Sequence, residues 1–337
     1  MASRLTRRHM LIATGATAAL AMLPQASHAR KADGPLAAAQ SFLASLPEDA
    51  AAQARFPFRG DIHRTWNFMG TGAKPGLMLE RMTPDQAAAA DALLRTLLSP
   101  EGHAKARLIM AMQDVMRELG YGPSNRSSQR FSLAVFGEPG EGALWSVRIE
   151  GHHLSLNWTL KGDEIVAVTP ASFSVIPQSV PIGEHKGRLV LEAEETLARQ
   201  LIADLTGAKR ERALIGERAF GNVLALAGRE DRFKEKQGLP AADMSAAQQD
   251  LLWELIETTA RQPWPASVAR AQAARLREGD AAAVHFAWAG GVARGDMFYY
   301  RIHGDTFTLE LATVLGDPEH LHAVFHDPDR TFGRHLG

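Results

Sequence analysis

Trp145-Ser146-Val147-Arg148-Ile149-Glu150-Gly151-His152-His153-Leu154-Ser155-Leu156-Asn157-Trp158-Thr159-Leu160 is the stretch that sets the fold class of this chain. Apolar side chains occupy odd positions up to Ile149 and even positions from Leu154 onward. A period of two is the signature of a strand with one face on a core. The alternation slips by one at Gly151-His152, and a β-bulge there, at a glycine, keeps one apolar face throughout. The opposite face then carries Ser146, Arg148, Glu150, His153, Ser155 and Asn157. That row is either a solvated sheet face or a functional one, with a carboxylate, an imidazole and an amide side by side.

Working outward, residues 128–190 read as strands: Phe131 to Phe136, Ala143 to Thr159 and Glu164 to Thr169, with a hairpin turn at Lys161-Gly162-Asp163. Residues 35–125 read as helical. Thr83-Pro84-Asp85-Gln86 is a helix start, with Thr83 as N-cap and Pro84 in the first position. Lys105 to Leu119 has apolar residues at 3–4 spacing and ends at Gly120. Phe56 to Gly76 reads as a loop containing Arg59, His63, Arg64 and Trp66, with His63 a candidate pocket residue. Residues 191–280 return to helix, strongest over Glu192 to Leu205 and Met244 to Arg261. Strands resume over 282–314, where Gly304-Asp305 joins two of them, and a histidine-rich tail closes the chain. Helices, strands, helices and strands in that order predict an α+β fold, its mainly antiparallel sheet built from two strand blocks and flanked by helices. No internal repeat or Gly-rich phosphate loop is evident. Residues 30–337 are expected to form one α+β domain.

Composition narrows the chemistry. The 337 residues contain no cysteine, and 37 basic against 38 acidic residues leave a net charge of −1. Disulfides, thiolate metal sites and catalytic cysteines are excluded, so a metal must be held by histidine, carboxylate or backbone oxygen. The balanced charge gives no footing for nucleic acid. Gly-x-Ser-x-Gly and His-Glu-x-x-His are both absent.

The first 29 residues read as a cleaved address. Thr6-Arg7-Arg8-His9-Met10-Leu11 is similar to a twin-arginine export motif, followed by a short apolar run to Pro24 and a small-residue cleavage site at Ser27-His28-Ala29. The expected destination is the periplasm or the outside of the cell, through the twin-arginine machinery, with no membrane anchor left behind.

His320-Leu321-His322-Ala323-Val324-Phe325-His326 places three histidines at even spacing. On a strand they share a face, and neighbouring members sit about 7 Å apart at Cα, close enough to converge on one ion. On a helix, His322 and His326 share a face instead. The hairpin before them adds Arg301, His303 and Glu310, all on one face. Arg148 and Arg301 are candidates for gripping an anionic substrate group, although a cross-strand Arg301–Glu310 pair is the simpler account of those two residues.

These segments carry a resemblance. Glu150-Gly151-His152-His153-Leu154-Ser155-Leu156-Asn157, Phe286-Ala287-Trp288-Ala289-Gly290-Gly291, Tyr299-Tyr300-Arg301-Ile302-His303-Gly304 and His320-Leu321-His322 resemble, in order, the uncharacterised family known as domain of unknown function 3500. Met82-Thr83-Pro84 and Glu194-Glu195 match its helical stretches, and the likeness spans most of residues 38–335. The family often has Arg where His326 stands. The resemblance implies a large exported α+β domain and brings no established activity.

Three functions fit these residues. In a metal-dependent hydrolytic enzyme, His152, His153, His320 and His322 hold zinc or a similar divalent ion and leave a water position open. Glu150 then acts as general base or further ligand, Arg148 and Arg301 assist catalysis, and Asn157, His303, Glu310 and His63 contact a small-molecule substrate. A redox enzyme uses the same ligands with copper or iron. A periplasmic binding protein captures a small ligand without chemistry.

Overall fold

The computed structural model describes residues 34–229 and 232–336, so the proposed signal segment lies outside the described residues. The described residues fall in one compact unit. The quoted stretch forms two strands rather than one bulged strand. Leu144–Gly151 and Leu154–Lys161 pair antiparallel with Gly151 opposite Leu154, so His152-His153 is a two-residue turn. A hairpin of that length pairs Ile149 with Leu156 and Glu150 with Ser155, which is why the alternation slips by one. The expected polar face forms, through a hairpin and not a bulge. Glycine is required at 151, because a Cβ there would meet the Phe131 ring at 2.1 Å.

Numbered along the chain, the strands are β1 (Arg55–Phe56), β2 (Leu77–Met78), β3 (Phe131–Phe136), β4 (Leu144–Gly151), β5 (Leu154–Lys161), β6 (Glu164–Ala167) and β7 (Ala171–Phe173), then β8 (Leu214–Gly216), β9 (Leu239–Pro240), β10 (His285–Gly290), β11 (Phe298–His303), β12 (Thr308–Val314) and β13 (Asp317–His326). They form one mostly antiparallel sheet in the order β1-β3-β4-β5-β7-β13-β12-β11-β10-β8, so the two strand blocks do meet and the fold is α+β. Among the described residues, only the β1·β3 and β10·β8 pairs run parallel.

That order reads alike from either edge, because the chain is duplicated. Helix α1 (Pro35–Ala44), α2 (Glu48–Ala54) with β1, then β2 and α3 (Pro84–Leu97), lead through α4 (Pro100–Glu118) to the β3-β4-β5 meander. Helix α5 (Glu192–Asp204), α6 (Gly207–Ala213) with β8, then β9 and α7 (Ala246–Ala260), lead through α8 (Ala266–Leu276) to the β10-β11-β12 meander. The helices α3 and α7 open on matching capping boxes, Thr83 with Gln86 and Ser245 with Gln248. Each glutamine then reaches back to the end of the first helix of its half, Gln86 Nε2 to the Ser45 carbonyl at 3.2 Å and Gln248 Nε2 to that of Asp204 at 3.1 Å. This corrects the reading of a chain without repeats. The two halves share element order and cap chemistry, whereas their side chains have drifted apart.

The helices pack on one face of the sheet, where Val147, Ile149, Leu156, Trp158, Ile302, Leu309 and Phe325 join the helical side chains in the main core. Each such side chain, fully buried, contributes roughly 1.5–3 kcal/mol. The other face is covered by loops. Trp66 and Phe68 from the first half, Val223 from the second, and Tyr299, Ala312 and Val324 of the sheet form a smaller apolar cluster there. The polar row of the first hairpin therefore lies under loops, and Arg148, Glu150, His153, Ser155 and Asn157 are all buried.

Candidate metal centre

The halves join where β7 meets β13, with Ser172 opposite Val324 and Ala171 opposite Phe325. Beyond β7, Val175 and Leu321 exchange two backbone hydrogen bonds of 2.8 Å. On the other side, the Ser174 amide donates to the His153 carbonyl at 2.8 Å. One short segment thus holds the His152-His153 turn of the first half against Leu321 of the second. Leu321 faces the core, so its neighbours His320 and His322 face the turn.

The result is a cluster of three buried imidazoles, with one ligand nitrogen from each of His153, His320 and His322 mutually within 4.8 Å. His153 Nε2 lies 3.0 Å from His320 Nε2, which lies 3.1 Å from His322 Nε2. A tetrahedral ion with bonds of about 2.0–2.1 Å separates its nitrogens by about 3.3 Å, so these two separations are compatible with a shared ion. Burial, reinforced by the neighbouring histidines, holds His153 and His322 well below the ordinary imidazole value, and burial lowers His320 as well. These shifts favour the neutral imidazole, the state a metal requires. Asn222 Oδ1 lies 2.8 Å from His322 Nδ1. An amide oxygen accepts only, so Nδ1 carries the proton and Nε2 is left unprotonated, as a metal ligand must be.

Local strain also marks the site. His153 adopts a φ of 72°, a left-handed conformation uncommon outside glycine. Its amide is tied to the Phe68 carbonyl at 2.8 Å, and the Phe68 ring meets His322 edge-on at 5.1 Å. Strain of this kind costs about 1–3 kcal/mol and persists where surrounding structure over-determines it.

The other candidate residues lie elsewhere. His152 is outside the three-nitrogen cluster; its ring stacks on His153 at 3.6 Å, and Arg126 Nη1 lies 2.5 Å from its Nδ1. Glu150 is outside the cluster too. Its Oε1 accepts the Asn67 amide at 2.5 Å and the Ser155 hydroxyl at 3.0 Å, so it pins the loop that carries Phe68. Arg148 is fully buried and spent on structure: Nη1 and Nη2 donate to the Ile62 and His63 carbonyls, and Nε donates to Asn157 Oδ1. Asn157 in turn donates to the Pro170 carbonyl. His63 is buried with Nε2 3.0 Å from Ser146 Oγ, packed between the Phe58 and Phe136 rings.

In the second half, Glu310 accepts the Leu224 and Ala225 amides at 2.8 Å each and the Tyr299 hydroxyl at 2.7 Å. Arg301 donates to Gln237 Oε1 and lies over the Phe233 ring at 4.0 Å, and His303 borders the same ring. Arg301 stands opposite Glu310 in register on β11, five strands from β4, or about 24 Å at 4.8 Å per strand. The arginines and Glu310 are loop anchors, not members of the histidine site, because the polar face they share lies beneath a covering that needs hydrogen bonds. His326 is buried on the same strand as the cluster, with Nε2 3.3 Å from Thr331 Oγ1, and does not join it.

Fold and site together define an α+β protein with a candidate three-histidine metal centre between duplicated halves. The chain belongs to the family described as "Protein of unknown function (DUF3500)", whose model matches residues 28–334. No curated protein and no solved structure matches it.

Two predictions follow from this geometry. Asn222→Ala frees the His322 ring without touching a ligand nitrogen, and weakens zinc affinity 10–100-fold in competition titrations against a chelator. An unchanged affinity contradicts Asn222 as the orienting partner. The second concerns His63, which burial and the adjacent Arg148 hold down at about 3 against 6.5 unfolded. Its native state refuses a proton that the unfolded chain accepts, so its contribution is complete above pH 6.5 and is lost as pH falls from 6.5 toward 3. Glu150 and Glu310, pushed up by burial, act with the opposite sign as pH rises above 4.5, and do so equally in a variant that keeps them. A His63→Asn variant isolates the effect. Between pH 7.5 and 5.5 the native protein loses about 1.4 kcal/mol more denaturant stability than the variant does, and equal losses contradict the assignment.

Proposed function

We propose that this chain is an exported metalloenzyme that binds one divalent ion through His153, His320 and His322 and hydrolyses a small-molecule substrate. The observation that carries the reading is the convergence of three buried, neutral Nε2 atoms, with no carboxylate among the described residues completing the set. Three protein ligands with a remaining open position is the arrangement of catalytic zinc sites, whereas structural sites are closed by four. A divalent ion held there supplies Lewis acidity and lowers the pKa of water to about 7.

The protein's own residues frame that chemistry. Asn222 fixes the tautomer of His322. Phe68 and the Trp66 ring beside it, 5.4 Å between centroids, keep water from one side of the cluster. Glu150 serves as a positioning residue, because its carboxylate holds the Asn67 amide and hence the loop that carries Phe68. That loop also walls an apolar pocket of about 620 Å³ formed with Ile62, Met69, Pro75 and Leu226, large enough for the body of a small substrate. Export is supported by the arginine pair and apolar run before Ala29.

Zinc is the ion proposed, and the same imidazoles also suit copper and iron. The test is metal analysis of protein purified from the periplasm, with turnover of ester, amide and phosphoester panels before and after chelation. The expected result is one zinc per chain, hydrolysis lost on chelation and restored by zinc, and at least a 100-fold fall in kcat/KM for His322→Ala. A stoichiometric paramagnetic copper or iron signal with redox turnover contradicts the hydrolytic reading. Metal-free protein that binds a small molecule without turnover contradicts the enzyme reading.

A further inference from the structure

We propose that the cleft bordering the histidine cluster is an oxyanion-recognition subsite that seats a carboxylate or phosphoryl group of the substrate; the substrate assignment rests on the metal-centre reading above. The cleft has a volume of about 340 Å³ and lies between the loop after Phe68 and the segment that follows α4. Lys74, Arg126, Arg130, Gln113, Asn125 and His152 line it, and no acidic residue does.

The side chains lining the cleft carry three cations and no carboxylate. Lys74 donates only to the carbonyls of Thr71 and Gly72, at 3.2 and 3.4 Å; the buried Glu150 carboxylate attracts it, but no carboxylate among the described residues makes an ion-pair contact with it. Arg126 likewise has no carboxylate partner. Its Nε donates to the Tyr121 carbonyl at 3.0 Å and its Nη1 to Gln113 Oε1 at 3.0 Å, which fixes the plane of the guanidinium. Its Nη2 makes no hydrogen bond to a described residue. Arg130 meets Glu80 at 3.4 Å in an exposed pair, which contributes little and leaves the arginine available. A guanidinium already held by neutral acceptors, with one edge open, is preorganised for an oxyanion, and a second cation beside it strengthens the field in a concave site.

His152 connects this cleft to the centre. Its ring lines the cleft, stacks on His153 at 3.6 Å, and touches Arg126 through Nδ1. Its Nε2 makes no hydrogen bond to a described residue. A ligand in the cleft is therefore one imidazole away from the ligating nitrogens. The geometry accounts for His152 as a positioning residue between anion and metal rather than a ligand. The substrate class is a small molecule with an anionic oxyacid group at one end and the scissile bond toward the histidines; neutral substrates bind poorly.

The probes are succinate, for a carboxylate, and inorganic phosphate, titrated calorimetrically at constant ionic strength into zinc-loaded and chelated protein. The expected result is saturable one-to-one binding of at least one probe, and the preferred probe identifies the source chemistry. Lys74→Met, which removes a charge tied only to two loop carbonyls, weakens that binding at least tenfold, and Arg126→Gln abolishes it. Chelation changes the affinity less than threefold, since the cleft does not need the ion. Absence of binding by either probe, or binding undiminished in Lys74→Met, overturns the proposal. Binding that vanishes on chelation also overturns it, by placing the anion on the metal and leaving the metal centre intact. Anion binding with the expected variant effects in a chain that takes up no zinc supports the cleft and overturns the metal reading alone.

Discussion

The pairing of Val175 with Leu321 is the constraint on which the rest of the structure depends. Two backbone hydrogen bonds of 2.8 Å fix the register between the end of the first half and the last strand of the second. Because side chains alternate along a strand, a slip of one residue would send His320 and His322 into the helical core and bring Leu321 to the turn. The register is held by burial on both sides. Leu321 packs in the main core beside Phe325, while Val324 faces the loop-covered cluster. A sheet with both faces covered tolerates no alternative, and the histidine cluster inherits that precision.

Duplication explains why the site lies where it does. Each half supplies a meander whose polar row anchors its own covering loop: Arg148 holds the Ile62 and His63 carbonyls, and Glu310 holds the Leu224 and Ala225 amides. These rows are the same solution used twice, an inward polar face satisfied by loop backbone. The histidines are not duplicated. The turn of the first half reads His152-His153, and the turn of the second reads Gly304-Asp305-Thr306-Phe307. One half contributes the strained turn and the other the His-x-His strand, so the centre exists only at their junction.

The parts of this arrangement visible in the sequence are those with a local period or a local cap. Thr83 announces a helix start by side-chain chemistry, and it caps as expected. The alternation from Trp145 to Leu160 places the polar row on one face even though the slip is a hairpin, because a bulge and a two-residue turn have the same effect on parity. What was hidden depends on contacts distant in sequence. Nothing near Arg148 shows that a loop more than eighty residues upstream will take its hydrogen bonds. Asn222 sits after a glycine in an irregular segment, and only the fold brings it to His322, one hundred residues on. Arg126 and Lys74 look like ordinary surface charges until the loops enclose them. The duplication itself survives in caps and element order rather than in matching residues.

The most direct test of the central claim is X-ray absorption spectroscopy of the zinc-loaded protein at one equivalent of metal. The account predicts a first shell with three imidazole nitrogens at about 2.0–2.1 Å, reduced to two in His320→Ala. A shell of oxygen scatterers without imidazole, or a spectrum unchanged in that variant, contradicts it.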